Sequence, residues 1–284
     1  MLVQPVCPII DEPALLVNFS DKKILCIADL HLGYEFLLAR KGVVIPSQSE
    51  EMKDRILDLI ERTSADSLII IGDVKHNIFR VSQAEWRGVK RLLEDVSKKV
   101  EVQITLGNHD TNLDLLLPDN IFLHSSKGFL IENNDIRVGF VHGHAWPKPD
   151  LLQSDYIILG HNHPVIEMRD GMGGKWFMPA WIELRGGKEK IASSFANHFG
   201  LGENSNAVIN LKKGSIKIEN TKIIVVPAFN PLLGGVALNR PDIKFLGPIL
   251  SSNIVEKGTA KVKLLDGTYL GSLENCISLV GQRE

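Results

Sequence analysis

Five short apolar runs punctuate the first 160 residues: "ILCIA" (24–28), "SLIII" (67–71), "VQITL" (102–106), "VGFV" (138–141) and "IIL" (157–159). Most are continuously apolar rather than alternating. A strand of that kind must be covered on both faces, which points to an α/β fold. Two helices are predicted between the first three runs. Ser47 and Glu50 have the spacing of a capping box, followed by a stripe of Met52, Ile56, Leu59 and Ile60. Ser82 and Glu85 repeat the spacing ahead of Trp86, Val89, Leu92, Leu93 and Val96. Strand, helix, strand, helix, strand reads as right-handed βαβ units and a parallel sheet. The pattern then changes. "GFLIENNDIRVGFVHGH" predicts a hairpin turning at Asn133, Asn134 and Asp135, and residues 164–184 predict further short strands. Residues 186–206 are rich in Gly, Lys, Ser and Asn and predict an exposed excursion with a short helix at 189–199. "AVINLKKGSIKIEN", "KIIVVPAF" and "KGTAKVKLLDGTYLG" read as more strands and hairpins.

The 284 residues, 44% of them hydrophobic, suffice for one large α/β domain or two small ones. With no repeats, low-complexity tract or convincing linker, one domain over 1–284 is the expectation. Thirty-two basic residues stand against 34 acidic ones, so no bulk basic footprint for nucleic acid is visible, although a local patch stays open. Cys7, Cys26 and Cys276 lie far apart, which argues against a disulfide framework or a cysteine zinc site. The N-terminus lacks the basic start of a signal peptide, and no apolar stretch approaches the roughly 18 residues that span a bilayer. A soluble cytoplasmic protein without a membrane partner is expected.

Each apolar run ends in polar chemistry. Asp29 and His31 follow the first, Gly72-Asp73 the second, and Gly107-Asn108-His109-Asp110 the third. His142-Gly143-His144 follows the fourth, and Gly160-His161-Asn162-His163 the fifth. Ligands of open α/β sheets bind beyond the strand carboxyl ends, so residues scattered along the chain could meet at one rim. Asp29, Asp73, His31, His142, His161 and His163 offer carboxylate oxygens and imidazole nitrogens, and Asn108 an amide oxygen. That mixture suits Mn, Fe, Zn, Co or Ni, with manganese the first choice, and not a calcium cage. Seven donors exceed one tetrahedral ion and suit two ions about 3.5–4 Å apart sharing a carboxylate. Any one of these motifs alone is more often a strand-end turn than a ligand; five in chain order are not.

The series Asp-x-His, Gly-Asp, Gly-Asn-His-Asp, His-Gly-His and Gly-His-x-His resembles the calcineurin-like metallophosphoesterases over residues 24–165. "VVPAFNPLLGG" (225–235) resembles a segment of bacterial and archaeal relatives of the SbcD-type DNA-repair nucleases, and reads equally as a strand followed by a Pro/Gly loop. The resemblance implies a four-layer fold, a two-sheet β-sandwich flanked by helices. It implies one metal held by Asp29, His31 and His163, a second by Asn108, His142 and His161, and Asp73 bridging them. It implies hydrolysis of a phosphate ester by a metal-bridging hydroxide, with His109 over the substrate as transition-state stabiliser or acid and Asp110 orienting it. No tyrosine ligand stands near Val74-Lys75-His76, against a purple-acid-phosphatase type of site. Lys75 and His76 read either as phosphate contacts or as a solvated loop, and His144 as a neighbour of the ligands. A phosphodiesterase or nuclease acting on DNA or RNA is the favoured expectation. A phosphomonoesterase acting on a nucleotide or phosphoprotein, and a catalytically silent scaffold, are the alternatives.

Overall fold

Side chains alternate across a strand, so a continuously apolar strand feeds two cores at once. In a computed structural model of the chain, residues 4–78, 83–133, 136–186, 188–200, 221–240, 244–251 and 260–281 are described. The first sheet is built from β1 (Val6–Pro8), β2 (Ala14–Asn18) and β3 (Lys23–Ile27). After α1 (Tyr34–Arg40) and α2 (Ser49–Thr63) come β4 (Ser67–Ile71), α3 (Gln83–Ser97), β5 (Glu101–Thr105) and β6 (Ile121–His124). Its order is β1-β2-β3-β4-β5-β6, with β3 through β6 parallel and β1 and β2 added antiparallel. Leu25, Ile27, Leu68, Ile70, Val102 and Ile104 face α2 and α3, while Ile24, Cys26, Ile69 and Ile71 face the other way.

The second sheet begins with β7 (Phe129–Glu132), β8 (Arg137–Val141), β9 (Tyr156–Leu159), β10 (Pro164–Arg169) and β11 (Lys175–Gly186). It continues after α4 (Lys188–His198) with β12 (Thr221–Val225) and β13 (Val236–Ala237). After α5 (Pro248–Ser251) come β14 (Lys261–Leu264) and β15 (Tyr269–Ser272), and α6 (Leu273–Gly281) follows. Its main path runs β13-β10-β11-β12-β9-β8-β7, with β14 paired to β11 and β15 to β14. Val138, Phe140, Ile158 and Ile224 pack against the first sheet, and Ile157, Leu159, Ile223 and Val225 pack beneath α5 and α6. Helix, sheet, sheet, helix: the four-layer sandwich is present, and the five apolar runs are its central strands.

Four local expectations change. The Ser47–Glu50 capping box does not form: α2 starts one residue later, at Ser49 behind Gln48, with no side-chain cap. Ser47 Oγ instead donates to Glu35 Oε1 at 3.0 Å, and Glu50 is drawn to Lys53 and Arg91. Trp86 leaves its stripe and is exposed, whereas Val89, Leu92, Leu93 and Val96 are buried. Ala196 of the excursion at 186–206 is buried, so α4 docks on the body rather than standing free. The strands β1, β2 and β6 are additional to the sequence reading. Ser82, Asn134 and Asp135, and the strand expected over 207–220, lie outside the described residues.

Candidate metal centre

Parallel strands deliver their C-terminal ends to one side, and here two sheets do so at a shared rim. Asp29 and His31 follow β3, Asp73 follows β4, Asn108 and His109 follow β5, His142 follows β8, and His161 and His163 follow β9. The turns are tight. Asp29, His31, Asp73, His161 and His163 all have positive φ, five of the eight non-glycine residues with that conformation among the described residues. Each such residue costs on the order of 1–3 kcal/mol and persists where the surroundings over-determine it, typically at a site. The backbone supplies that determination. Asp29 N–H donates to the Gly72 carbonyl, and His31 N–H to Asp73 O at 2.8 Å. The His161 N–H reaches the Asp29 carboxylate at 3.1 Å. Gly107 is required, since a Cβ there would lie 2.1 Å from Asp73 Oδ1.

The seven expected donors converge in two groups, and His31, His76 and His109 form a third cluster with ligand atoms equally close. Asp29, His31, Asp73 and His163 place one donor each within 4.8 Å of one another, and so do Asp73, His142 and His161. Asn108 Oδ1 joins the second group, 3.2 Å from His142 Nε2. Asp73 belongs to both, and His161 and His163, one residue apart, serve different groups. His142 is aimed by its other nitrogen: Nδ1–H donates to the Ile71 carbonyl at 2.9 Å, which turns Nε2 to the centre.

Electrostatics follows from burial beside two carboxylates. Burial alone would raise the Asp29 carboxyl, but His163 beside it holds it below its ordinary value. Asp73 is likewise held far below despite its burial, by His142 and His31. Burial opposes protonation of His142, yet Asp73 and Asp29 raise it to about 9. His163 is raised by Asp29 against the same opposition. Burial, and then the charge on His142, lower His144 and His161 to about 4. The carboxylates thus draw positive charge to the rim.

The residues fit two divalent cations. The donor set is oxygen and imidazole, without thiolate. Moreover, His31 Nε2 and His163 Nε2 are buried without a hydrogen bond, although they lie 3.3 Å from Asp73 Oδ2 and 3.2 Å from Asp29 Oδ1. Atoms aimed at a common point rather than at each other are what a cation would collect.

The remaining motif residues take other places. The His109 ring packs edge-on against His31 at 4.6 Å, and its Nδ1 bonds the His76 carbonyl. Asp110 does not orient that ring. Its oxygens accept backbone N–H groups of Val74 (2.9 Å), Lys75 (3.4 Å) and Gly107 (2.8 Å), tying the loops after β4 and β5 together. Its burial, and then the charge of Asp73, raise its carboxyl. Lys75 is neither a phosphate contact nor a solvated loop residue: it is fully buried, its ammonium donating to the carbonyls of Asn77, Ile78 and His109. His76 is not a solvated loop residue either: its Nδ1 lies 3.2 Å from His31 Nδ1 and its ring stacks on His109 at 5.3 Å. Asn230 was missed. Buried in "VVPAFNPLLGG", it donates to the Leu30 carbonyl at 2.8 Å, while Val236 N–H reaches His163 O at 2.9 Å. That segment therefore braces the loops of both His31 and His163. His144 borders a cavity of about 550 Å³ that Asn108, Thr111 and Asn112 also line.

No curated protein sequence matches the chain. Among solved structures, nuclease MPE of Pseudomonas putida is 18% identical, with 92% of this chain and 97% of that chain covered and a TM-score of 0.48. Yfce, a phosphoesterase from E. coli, is 22% identical over 52% of this chain and 74% of its own, with a TM-score of 0.34. The calcineurin-like phosphoesterase profile matches residues 22–193, more than half of the chain and every residue of the rim just described. The chain therefore belongs to the calcineurin-like phosphoesterase family and is a hydrolase of phosphoric esters.

Proposed function

We propose that the protein is a dinuclear, manganese-preferring phosphodiesterase, with a nuclease action on DNA or RNA as the favoured form. The observation that carries the dinuclear reading is Asp73 standing in both donor groups while His161 and His163 divide between them. In this reading Asp29, His31 and His163 hold one ion, Asn108, His142 and His161 the other, and Asp73 both. Bound there, two cations supply Lewis acidity, acidifying the attacking water and neutralising charge on the phosphoryl oxygens. The chain does the rest. Ile71 fixes the tautomer of His142 through its Nδ1, and His76 steadies His31. His109, held through Nδ1 by the His76 carbonyl, keeps Nε2 for the leaving oxygen and delivers its proton there. Asp110 acts as a positioning residue that holds the His109 loop against the Asp73 loop. The polar cavity beside Asn108 and His144 gives room for a second esterified group, which favours a diester. We take residues 1–284 as one domain. A reducing cytoplasmic setting suits its three free cysteines.

The test compares bis(p-nitrophenyl) phosphate with p-nitrophenyl phosphate on Mn-loaded protein, alongside metal analysis of variants. The diester should be cleaved faster. Asp73→Asn should lower the content of both ions and His31→Ala chiefly one. A clear monoester preference would transfer the assignment to a phosphomonoesterase, and retention of a single ion by wild-type protein would remove the dinuclear reading.

A further inference from the structure

The second sheet has nine strands and the first six. Beside β1, the inner faces of β9, β12, β11 and β14 surround a cavity of about 550 Å³. That volume lies in the range of small-molecule sites, about 300–1,000 Å³. It stands far from the metal centre. Tyr156 opens β9 and pairs in register with Lys222 of the parallel β12, whereas His161 lies beyond the other end of β9. The four residues of β9 alone span about 13 Å at 3.3 Å each.

The lining changes character where the sandwich core ends. Further along the same face, Ile158 and Ile224 belong to the core. In the cavity the corresponding positions are Tyr156, Lys222, Lys261, Lys263 and Tyr269, with Trp181 at the floor. Trp181 is 3% exposed, and its indole N–H is buried without an acceptor. Such a donor costs stability when left unpaired in the interior. Lys222 Nζ lies 5.2 Å from the Tyr156 ring centroid and 3.4 Å from its hydroxyl. Lys261 faces Glu183 at 3.7 Å, the one carboxylate of the lining among the described residues. Lys263 pairs across the ladders with Trp181 on one side and Tyr269 on the other, and no carboxylate lies within ion-pair distance of it among the described residues. Among the described residues, three ammonium groups against one carboxylate give a cationic lining with three aromatic rings.

We propose that this cavity binds a mononucleotide, its base against the tyrosine and tryptophan rings and its phosphate on Lys222 and Lys263. Inorganic phosphate would leave most of the volume and all of the rings unused, and an uncharged ring compound would leave the lysines unmatched. Rings for a base and ammonium groups for a phosphate are the two elements of sequence-tolerant nucleotide binding. The site is separate from the metal centre and does not depend on the activity assigned there.

The test is calorimetric titration of the full-length protein with 5′-AMP, with and without Mn, read in parallel by tryptophan fluorescence. Binding at one site per chain should persist after treatment with EDTA, and in Asp73→Asn protein. It should quench wild-type fluorescence and leave Trp181→Phe fluorescence unchanged. Lys222→Ala with Lys263→Ala should weaken it at least about tenfold, as expected for lost hydrogen bonds to a charged group. The same variant should hydrolyse bis(p-nitrophenyl) phosphate at the wild-type rate. Tyr269→Ala, an exposed position, serves as a second variant with the same expected direction. Absence of binding to metal-free protein overturns the proposal. So does an affinity indifferent to both variants, or inorganic phosphate binding as tightly as AMP, or binding seen only with an oligonucleotide.

Discussion

His109 is the residue whose chemistry separates most cleanly from metal binding. In the proposed centre the seven donors are complete without it, and its Nδ1 is engaged by a backbone carbonyl. A group that meets only the transition state lowers turnover without weakening the ground-state site. Positioned acid catalysis contributes about 10²–10⁴-fold. His109→Ala should therefore lose activity in that range on esters with sugar leaving groups. It should lose much less on nitrophenyl esters, whose leaving group needs little protonation, and should keep its metal content and melting temperature. Loss of one ion, or a wild-type rate on a dinucleotide, would show the role assigned to His109 to be wrong. That these side chains meet at one rim was legible from the sequence because carboxylates and imidazoles recurred directly after apolar strands. His76 was left between two readings, because its place depends on the turn that brings it back to His31, and Asp110 was misread because a buried carboxylate serves loops as readily as a histidine.

At the scale of elements, continuity of apolar residues identified the central strands because both faces of each are covered, and helical stripes identified α2 and α3. Caps were less legible: Ser47 had a nearer partner in Glu35, so the turn that would have begun a helix became a loop. The bracing segment was hidden for a different reason. Asn230 and Leu30 are 200 positions apart, and nothing local to "AFNPLL" reports the carbonyl it will meet. The loop after β13 shows how much one such contact carries. Glu167 of β10 is fully buried, accepting from Arg169 Nε at 2.7 Å and Arg240 Nε at 2.6 Å, while Asn239 pairs with its backbone. Arg169, and then Arg240, hold the Glu167 carboxyl below its ordinary value. A carboxylate with a folded-state pKa below its unfolded value stabilises fully above the unfolded pKa, and this contribution disappears as pH falls through the folded one. Glu167→Gln should thus destabilise at neutral pH, by about 1–3 kcal/mol for lost charge-assisted hydrogen bonds. The gap to wild type should close on acidification. Urea midpoints at pH 7 and pH 3.5 check this, and a gap that did not change with pH would mean that packing, not charge, sets the effect.

At the scale of the molecule, the metal centre is where the two sheets are joined by chemistry rather than by packing. Asp29, Asp73 and Asn108 extend from the first sheet, and His142, His161 and His163 from the second. Without cations, the link across that rim is carried by contacts such as His161 N–H to Asp29 and His142 Nε2 to Asp73 Oδ2 at 3.4 Å. Cations held by donors from both sheets would bind the folded state and not the unfolded chain, so stability must rise with their concentration. At one hundred times the dissociation constant the gain is about 2.7 kcal/mol per site. For a chain of this size one kilocalorie shifts the midpoint by roughly 2–4 °C, so Mn filling both sites to that level should raise the melting temperature by roughly 10–20 °C over EDTA-treated protein. The shift should shrink strongly in Asp73→Asn, which weakens both ions. It should persist in His109→Ala, which touches neither in the proposed centre, and in Lys222→Ala, which lies on β12 beside the far end of β9. Scanning calorimetry of the four proteins with and without Mn decides the matter. An equal shift in Asp73→Asn would place the stabilising ions elsewhere. No shift in wild-type protein that retains Mn would mean the sheets are already fixed by their common core.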